Sequence, residues 1–385
     1  MDITQALPLL GGLSPERFMK QYWQKKPLLI RGAVPDLQAL DRSTLFALAA
    51  REDVESRLIE QVPAANPPGR GRKTAGWRMR HGPFERRDLP PLKRAGWTLL
   101  VQGVNLHLNS VSELMAAFRF VPDARLDDVM ISYASDGGGV GPHFDSYDVF
   151  LLQAQGQRRW QIGAQKDLSL QAGVPLKILS RFEPEQTWVL DPGDMLYLPP
   201  HYAHDGVAVG GDCMTYSVGF RAPAQAELGL ALLERLGEDL SLPARLYQDK
   251  QQAALAEPAR IPEGLQQFAH EALAAVWGAM NKPEALARSL GEYLTEPKAQ
   301  VWFDPPSSAP DLHQGVQLDR LSRMLFDEHH VFINGESYRA SGRDAQLMRR
   351  LANQRCLSAT DCRRASDAAL SLLHDWYESG WIGPL

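Results

Sequence analysis

The spacing of apolar residues changes several times along the chain, and each change predicts a different kind of structure. Residues 14–26 (SPERFMKQYWQKK) predict a helix, with Ser14 as its N-cap and Pro15 at the first helical position, where a missing N–H costs nothing. KPLLIRGA follows as a short strand, and residues 43–60 predict a second helix. Periodicity then fades over residues 62–95, where Pro, Gly and Arg dominate (PPGRGRK, RMRHGPFERR, LPPLKR), so a basic, loop-rich segment is expected.

From Trp97 to about Pro223 the apolar residues come in short runs: WTLLVQGV, DDVMISYAS, YDVFLLQA, RRWQIG, TWVLDPG, DMLYLPP, DGVAVG and MTYSVGF. Gly, Pro or Asp separates them, a pattern of closely spaced antiparallel strands. The expected architecture is a double-stranded β-helix, the jelly-roll of cupin type. Beyond Pro223, AELGLALLERLGEDL, PEGLQQFAHEALAAVWGAM and PEALARSLGEYL carry apolar residues at three- and four-residue spacing, the mark of amphipathic helices. In the last stretch LDRLSRMLF and AQLMRRLANQ read as helices, as does ASDAALSLLHDWYESG. Asn334-Gly335 inside HHVFINGESYRAS signals a hairpin. A hairpin among helices predicts a winged-helix module. The expected fold is thus α+β and multidomain: a jelly-roll with N-terminal helices over residues 1–223, a helical region over 224–299, and a winged-helix-like module over 300–385.

Composition narrows the function classes. At 44% apolar, the 385-residue chain can bury sizeable cores. A net charge of −5 gives no global attraction to nucleic acid or to anionic lipid. Locally, residues 70–94 hold nine Lys/Arg against two acids, which fits either a solvated loop or a contact surface for an acidic or RNA-containing partner. Three cysteines without a CxxC exclude a cysteine-based zinc module and fit a reducing cytoplasm. No signal-peptide pattern and no run of 18 apolar residues is present, so a membrane partner is not expected.

The candidate chemistry lies in the jelly-roll. In GGGVGPHFD, His143 and Asp145 are separated by one residue, and on an extended strand both side chains share a face. In DPGDMLYLPPHYAH, a turn, a strand and a proline-fixed loop deliver His204. Two histidines and one carboxylate form the facial triad of non-haem iron(II) oxygenases, which leaves three coordination positions open. His201 competes for the third place. A zinc hydrolase on the same triad and a metal-free jelly-roll also remain open on the residues alone. Arg158 and Arg159 follow on a strand, and alternation lets only one of them face inward; placing Trp160 in the core selects Arg158 as a carboxylate binder and leaves Arg159 in solvent. Asp136, at the start of the glycine loop, is a candidate partner for a cationic substrate, or an ordinary turn aspartate.

DGGGVGPHFDSYDVFLLQAQGQRRWQIG, LYLPPHYAHDG and TYSVGFRAP closely resemble the JmjC-domain bacterial ribosomal oxygenases, and the likeness runs from KQYWQKKPLLIRGA to the C-terminal module. The resemblance implies an iron(II)- and 2-oxoglutarate-dependent oxygenase that hydroxylates an arginine side chain on the sixteenth protein of the large ribosomal subunit. It implies His143, Asp145 and His204 as iron ligands, and Arg158 as the 2-oxoglutarate binder. It also implies a helical homodimerisation region followed by a winged helix. One departure from the family pattern is visible: His201 stands where a glycine is expected. Relatives of the family that hydroxylate ribosomal histidines, and JmjC enzymes that demethylate lysine, supply alternative activities; Tyr133 and Tyr147 are candidate walls for a methylated ammonium. A winged-helix nucleic-acid binder with an inactive jelly-roll is the non-enzymatic alternative.

Overall fold

The computed structural model describes residues 2–62, 76–238, 240–242, 244–254, 256–257, 259–306 and 311–385. Residues 63–75, which hold part of the basic segment, lie outside the described residues. The chain forms two compact units, 1–222 and 223–385.

The first unit begins with α1 (Pro15–Gln21), where the Ser14 hydroxyl accepts from the Arg17 amide. This helix ends earlier than residue 26 because Gln24 turns into the left-handed region, and its N–H donates to the Tyr197 hydroxyl at 2.8 Å. β1 (Leu28–Ile30) and α2 (Arg42–Ala49) follow. The helix expected over 43–60 is a correction: it stops at Ala49, and Ser56–Val62 is strand β2. Leu58 and Ile59 are both buried there, and β2 is paired on both edges, by β3 (Gly76–His81) and β4 (Trp97–Val101). Tertiary pairing thus overrides a local helical preference. β3 is a second correction, a strand within the stretch expected to be loop.

Next come α3 (Asn109–Ala116), β5 (Leu126–Ala134), β6 (Val149–Gly163), β7 (Gln186–Leu190), β8 (Met195–Leu198) and β9 (Ala203–Phe220). Hydrogen bonding runs β1-β8-β6-β9-β5-β4-β2-β3, with β7 on the far half of β6. β6 and β9 each fuse two runs that the sequence separates. β6 pairs β9 along its length, β8 through 149–152 and β7 through 158–162. The register shifts around Gln155, next to Gly156 at φ +63°, where a Cβ would come within 3.0 Å of the Asp212 carbonyl oxygen. Such a bulge bends the strand and lets it serve both layers of a jelly-roll. The core between the layers and the N-terminal helices is aromatic: Phe150 meets Phe18, Phe118 and Tyr197 at ring-centroid distances of 5.4, 4.9 and 4.9 Å. Removing a ring so placed costs about 3–5 kcal/mol.

The second unit holds α4 (Gln225–Glu238), α5 (Glu263–Met280) and α6 (Pro283–Thr295). After them come β10 (Gly315–Leu318), β11 (Met324–Phe326), β12 (His330–Ile333), β13 (Glu336–Arg339), α7 (Gly342–Gln354), β14 (Cys356–Ser358), α8 (Ala359–Cys362), α9 (Asp367–Glu378) and β15 (Ile382–Pro384). The hairpin forms where expected, with Asn334 and Gly335 both at positive φ and Ile333 opposite Glu336. LDRLSRMLF is not a helix. Leu318 pairs with Ile382 and Met324 with Ile333, while Asp319 and Asn334 accept the Leu321 and Arg323 amides and hold a turn between the two strands.

Candidate active site

His143 and Asp145 precede β6, in an extended segment rather than in a regular strand; a single β-bridge joins His143 to His204 at the start of β9. The two histidines bond reciprocally through their main chains, 2.9 Å from His143 N to His204 O and 2.8 Å back. Ligand atoms of His143, Asp145 and His204 all lie within 4.8 Å of one another. Each imidazole turns its Nδ1 to a main-chain oxygen, His143 to Gly141 at 2.9 Å and His204 to Tyr202 at 2.8 Å. With Nδ1–H donated, both Nε2 lone pairs face the shared point, the orientation a metal requires. His204 is 2% exposed, and burial together with the neighbouring His143 lowers its pKa to about 4, so its imidazole is neutral near neutral pH, the form that can bind a metal.

His201 stays outside this cluster. It is exposed, lies at φ +62°, donates its amide to the Asp145 carbonyl at 2.7 Å and leans its ring on Phe144. That left-handed backbone explains the glycine expected there, since glycine adopts it without steric cost.

A cavity of about 260 Å³ opens from the three ligands along the inner face of the jelly-roll. Arg158 lines it and is 4% exposed. Its Nε and Nη2 are buried without a hydrogen-bond partner, and its guanidinium sits 5.6 Å from the Trp160 ring centroid. A buried guanidinium with two unused donors is unstable alone and fits a carboxylate taken from solution. Arg159 is exposed, as alternation required. The donor set, two imidazoles and a carboxylate with a buried cation in the same cavity, fits iron(II) and the distal carboxylate of 2-oxoglutarate.

Comparison with known proteins agrees with this geometry. Residues 113–228 match the JmjC domain family, and residues 274–383 match the ROXA-like winged helix. The chain is 35% identical over 346 residues to the ribosomal protein uL16 3-hydroxylase of Escherichia coli (strain K12), covering 85% of this chain and 86% of that one. It belongs to the JmjC-domain ribosomal oxygenases. The crystal structure of E. coli ycfD superimposes with a TM-score of 0.79 at 30% identity over 96% of this chain and 97% of that one. The same ribosomal oxygenase in complex with cobalt and 2-oxoglutarate gives a TM-score of 0.75 at 29% identity, over 96% of this chain and 98% of that one.

Two other expectations for this ribosomal oxygenase change. Asp136 does not line the cavity; it is exposed, and its carboxylate accepts the Gly210 amide at 2.8 Å, a turn aspartate. Tyr133 is no wall either: it is 1% exposed, packs on Trp97 and donates its hydroxyl to Asp212 at 2.6 Å. Besides Asp145, the acids that line the cavity are Asp127 and Asp128, at the start of β5. Asp128 accepts from the Gln102 amide at 2.9 and 3.2 Å, and its carboxylate and the Tyr147 ring both lie just under 4 Å from where a Cβ on Gly219 would be. Alternation held the signal, because Asp128, Met130 and Ser132 all line the cavity.

Proposed function

We propose that this protein is an iron(II)- and 2-oxoglutarate-dependent oxygenase that hydroxylates an arginine side chain of a large-subunit ribosomal protein in the cytoplasm. The observation that carries the enzyme class is Arg158: two unpartnered guanidinium donors, fully buried, in one cavity with the three ligands. Bound iron and cosubstrate supply oxygen activation, with 2-oxoglutarate converted to succinate and carbon dioxide and one oxygen atom delivered to the substrate. The chain does the rest. His143, Asp145 and His204 would hold the metal through two imidazoles and a carboxylate. Gly141 and Tyr202 fix the imidazoles through their main-chain oxygens. Arg158 would anchor the cosubstrate's distal carboxylate, with the apolar Trp160 ring beside its guanidinium in the wall of the same cavity.

Support for a cationic target comes from Asp128, set with Tyr147 in the wall of the same cavity, whereas Asp127 beside it pairs with Arg221 at 3.5 Å. A guanidinium presents several N–H donors at fixed angles, which carboxylates can satisfy and an imidazole or ammonium cannot use equally. The relatives' names supply the ribosomal protein. To test this, the purified enzyme is incubated with iron(II), ascorbate, 2-oxoglutarate and peptides that carry arginine, histidine, lysine or methyl-lysine at one position. A gain of one oxygen on the arginine peptide supports the proposal; oxygen on histidine alone, or loss of a methyl group from lysine, overturns it.

We also read α4–α6 as a homodimerisation surface. Of the apolar positions Leu228, Leu232, Leu233 and Leu236 on α4, Leu233 is exposed and the other three are half-buried; Leu230, Leu273 and Trp277 are exposed as well. No helix among the described residues is long and apolar enough to cross a membrane.

A further inference from the structure

We propose that Trp77 is a positioning residue for the metal centre: from the edge strand β3 it clamps Gly141, whose carbonyl orients the His143 imidazole. The proposal rests on His143, Asp145 and His204 binding a metal.

The glycine loop is held in two different ways. Its first half is tied by main-chain bonds, Gly137 N to Ala208 O at 3.0 Å and Ala208 N to Gly138 O at 2.9 Å. There is no room for side chains there; a Cβ on Gly138 or Gly139 would lie 2.4 Å from the Trp97 carbonyl oxygen or 2.6 Å from that of Gly206. Bonding to β9 resumes only at His143. In between, Gly141 sits at φ +79° and is gripped by side chains. An ideal Cβ on it would lie 2.9 Å from Cζ2 of Trp77 and 3.1 Å from Cδ1 of Ile178. Ile178 is 1% exposed, and the next residue, Leu179, donates its amide to the Pro142 carbonyl at 2.8 Å. Trp77 and Ile178 are therefore two jaws from segments distant in sequence, closed on one peptide.

That peptide matters because the Gly141 carbonyl is the partner of His143 Nδ1 at 2.9 Å. The bond selects the tautomer that leaves Nε2 free for a metal and fixes the ring's rotation. The His143 main chain is secured through His204 and its ring packs on the His204 ring, with centroids 4.2 Å apart, but the ring's one hydrogen bond to a main-chain oxygen holds only as far as Gly141 keeps its carbonyl aimed at it. Pro142 restrains that peptide from one side through its fixed φ, and the clamp supplies on the other side the restraint that the missing side chain of Gly141 cannot give. The same relationship gives the hairpin β2–β3, otherwise a basic sheet edge, a role at the active centre.

The test uses the full-length protein, stripped of metal and titrated with cobalt(II) by visible absorption. Trp77→Ala should weaken cobalt binding by roughly 10- to 100-fold, the usual effect of losing an outer support of a metal ligand. Trp77→Phe, which keeps a ring, should restore most of the affinity, and Met79→Ala on the same strand should leave it unchanged. In metal-free protein, the nitrogen-15 resonances of His143 should show the Nδ1–H tautomer in the parent and a tautomer mixture in Trp77→Ala. A merely structural tryptophan would lower the melting temperature and leave both readouts in place; that result overturns the proposal. If Trp77→Ala does not fold, Ile178→Ala tests the other jaw by the same titration, and an unchanged affinity again overturns it. A parent protein that fails to bind cobalt(II) would instead remove the metal-site reading beneath it.

Discussion

The imidazole of His204 and the carboxylate of Asp145 approach to 3.7 Å, Nε2 to Oδ2, while Nδ1 of the same ring is turned to the Tyr202 carbonyl. His143 completes the group through the main-chain bridge it shares with His204. Three electron-pair donors facing one point is an arrangement that a cation resolves.

His143→Ala and Asp145→Ala should each abolish detectable turnover and weaken metal binding at least 10-fold, with the fold retained. His204→Ala should do the same. His201→Gly should leave metal affinity unchanged and shift stability by no more than about 1 kcal/mol, because it trades left-handed strain for backbone entropy. Calorimetric metal titration and thermal melts decide this; loss of the metal in His201→Gly would reverse the assignment of the third ligand.

Arg158→Ala should raise the KM for 2-oxoglutarate by tens-fold to about a hundredfold, since a charge-assisted hydrogen bond is worth about 1.5–3 kcal/mol. Arg159→Ala should stay within twofold. Initial rates against cosubstrate concentration separate the two, and equal effects would mean that burial of Arg158 has no bearing on cosubstrate binding.

Asp128→Asn keeps shape but removes charge from the cavity wall. We expect KM for an arginine peptide to rise about 10-fold or more, with the KM for 2-oxoglutarate unchanged. Asp136→Asn should leave both constants alone, because its carboxylate serves Gly210. The reverse pattern would return the substrate contact to the glycine loop.

Light scattering should give twice the chain mass at micromolar concentration. Leu273→Glu or Trp277→Glu, each placing a charge on an exposed apolar surface, should shift the protein to monomer. A parent that is monomeric at high concentration ends the dimer proposal.

The jelly-roll was legible because strand alternation and turn residues act locally. Placing Trp160 in the core was enough to turn Arg158 inward and Arg159 outward, and the short spacing of His143 and Asp145 brought them together even though their segment is not a regular strand. What stayed hidden depends on distant partners. Ser56–Val62 looks helical until β3 and β4 flank it. Leu318, Leu321 and Met324 have helical spacing, yet Asp319 and Asn334 turn the chain there and β12 and β15 recruit its ends. Asp136 was conspicuous for lying near the metal motif, whereas Asp128 reaches the cavity through the sheet, from a strand whose sequence reads as ordinary core.

The paired carbonyl caps on His143 and His204 carry one more consequence. A triad whose donors are already aimed offers the same two nitrogens and one oxygen to every divalent ion that arrives. For such a set, affinity climbs from manganese through iron and cobalt to nickel and copper, with zinc also above iron. Raw affinity alone therefore does not rank iron first at these three donors. Zinc, nickel or copper would compete with iron for them, and the supply of each ion around this oxygenase bears on which one it takes up.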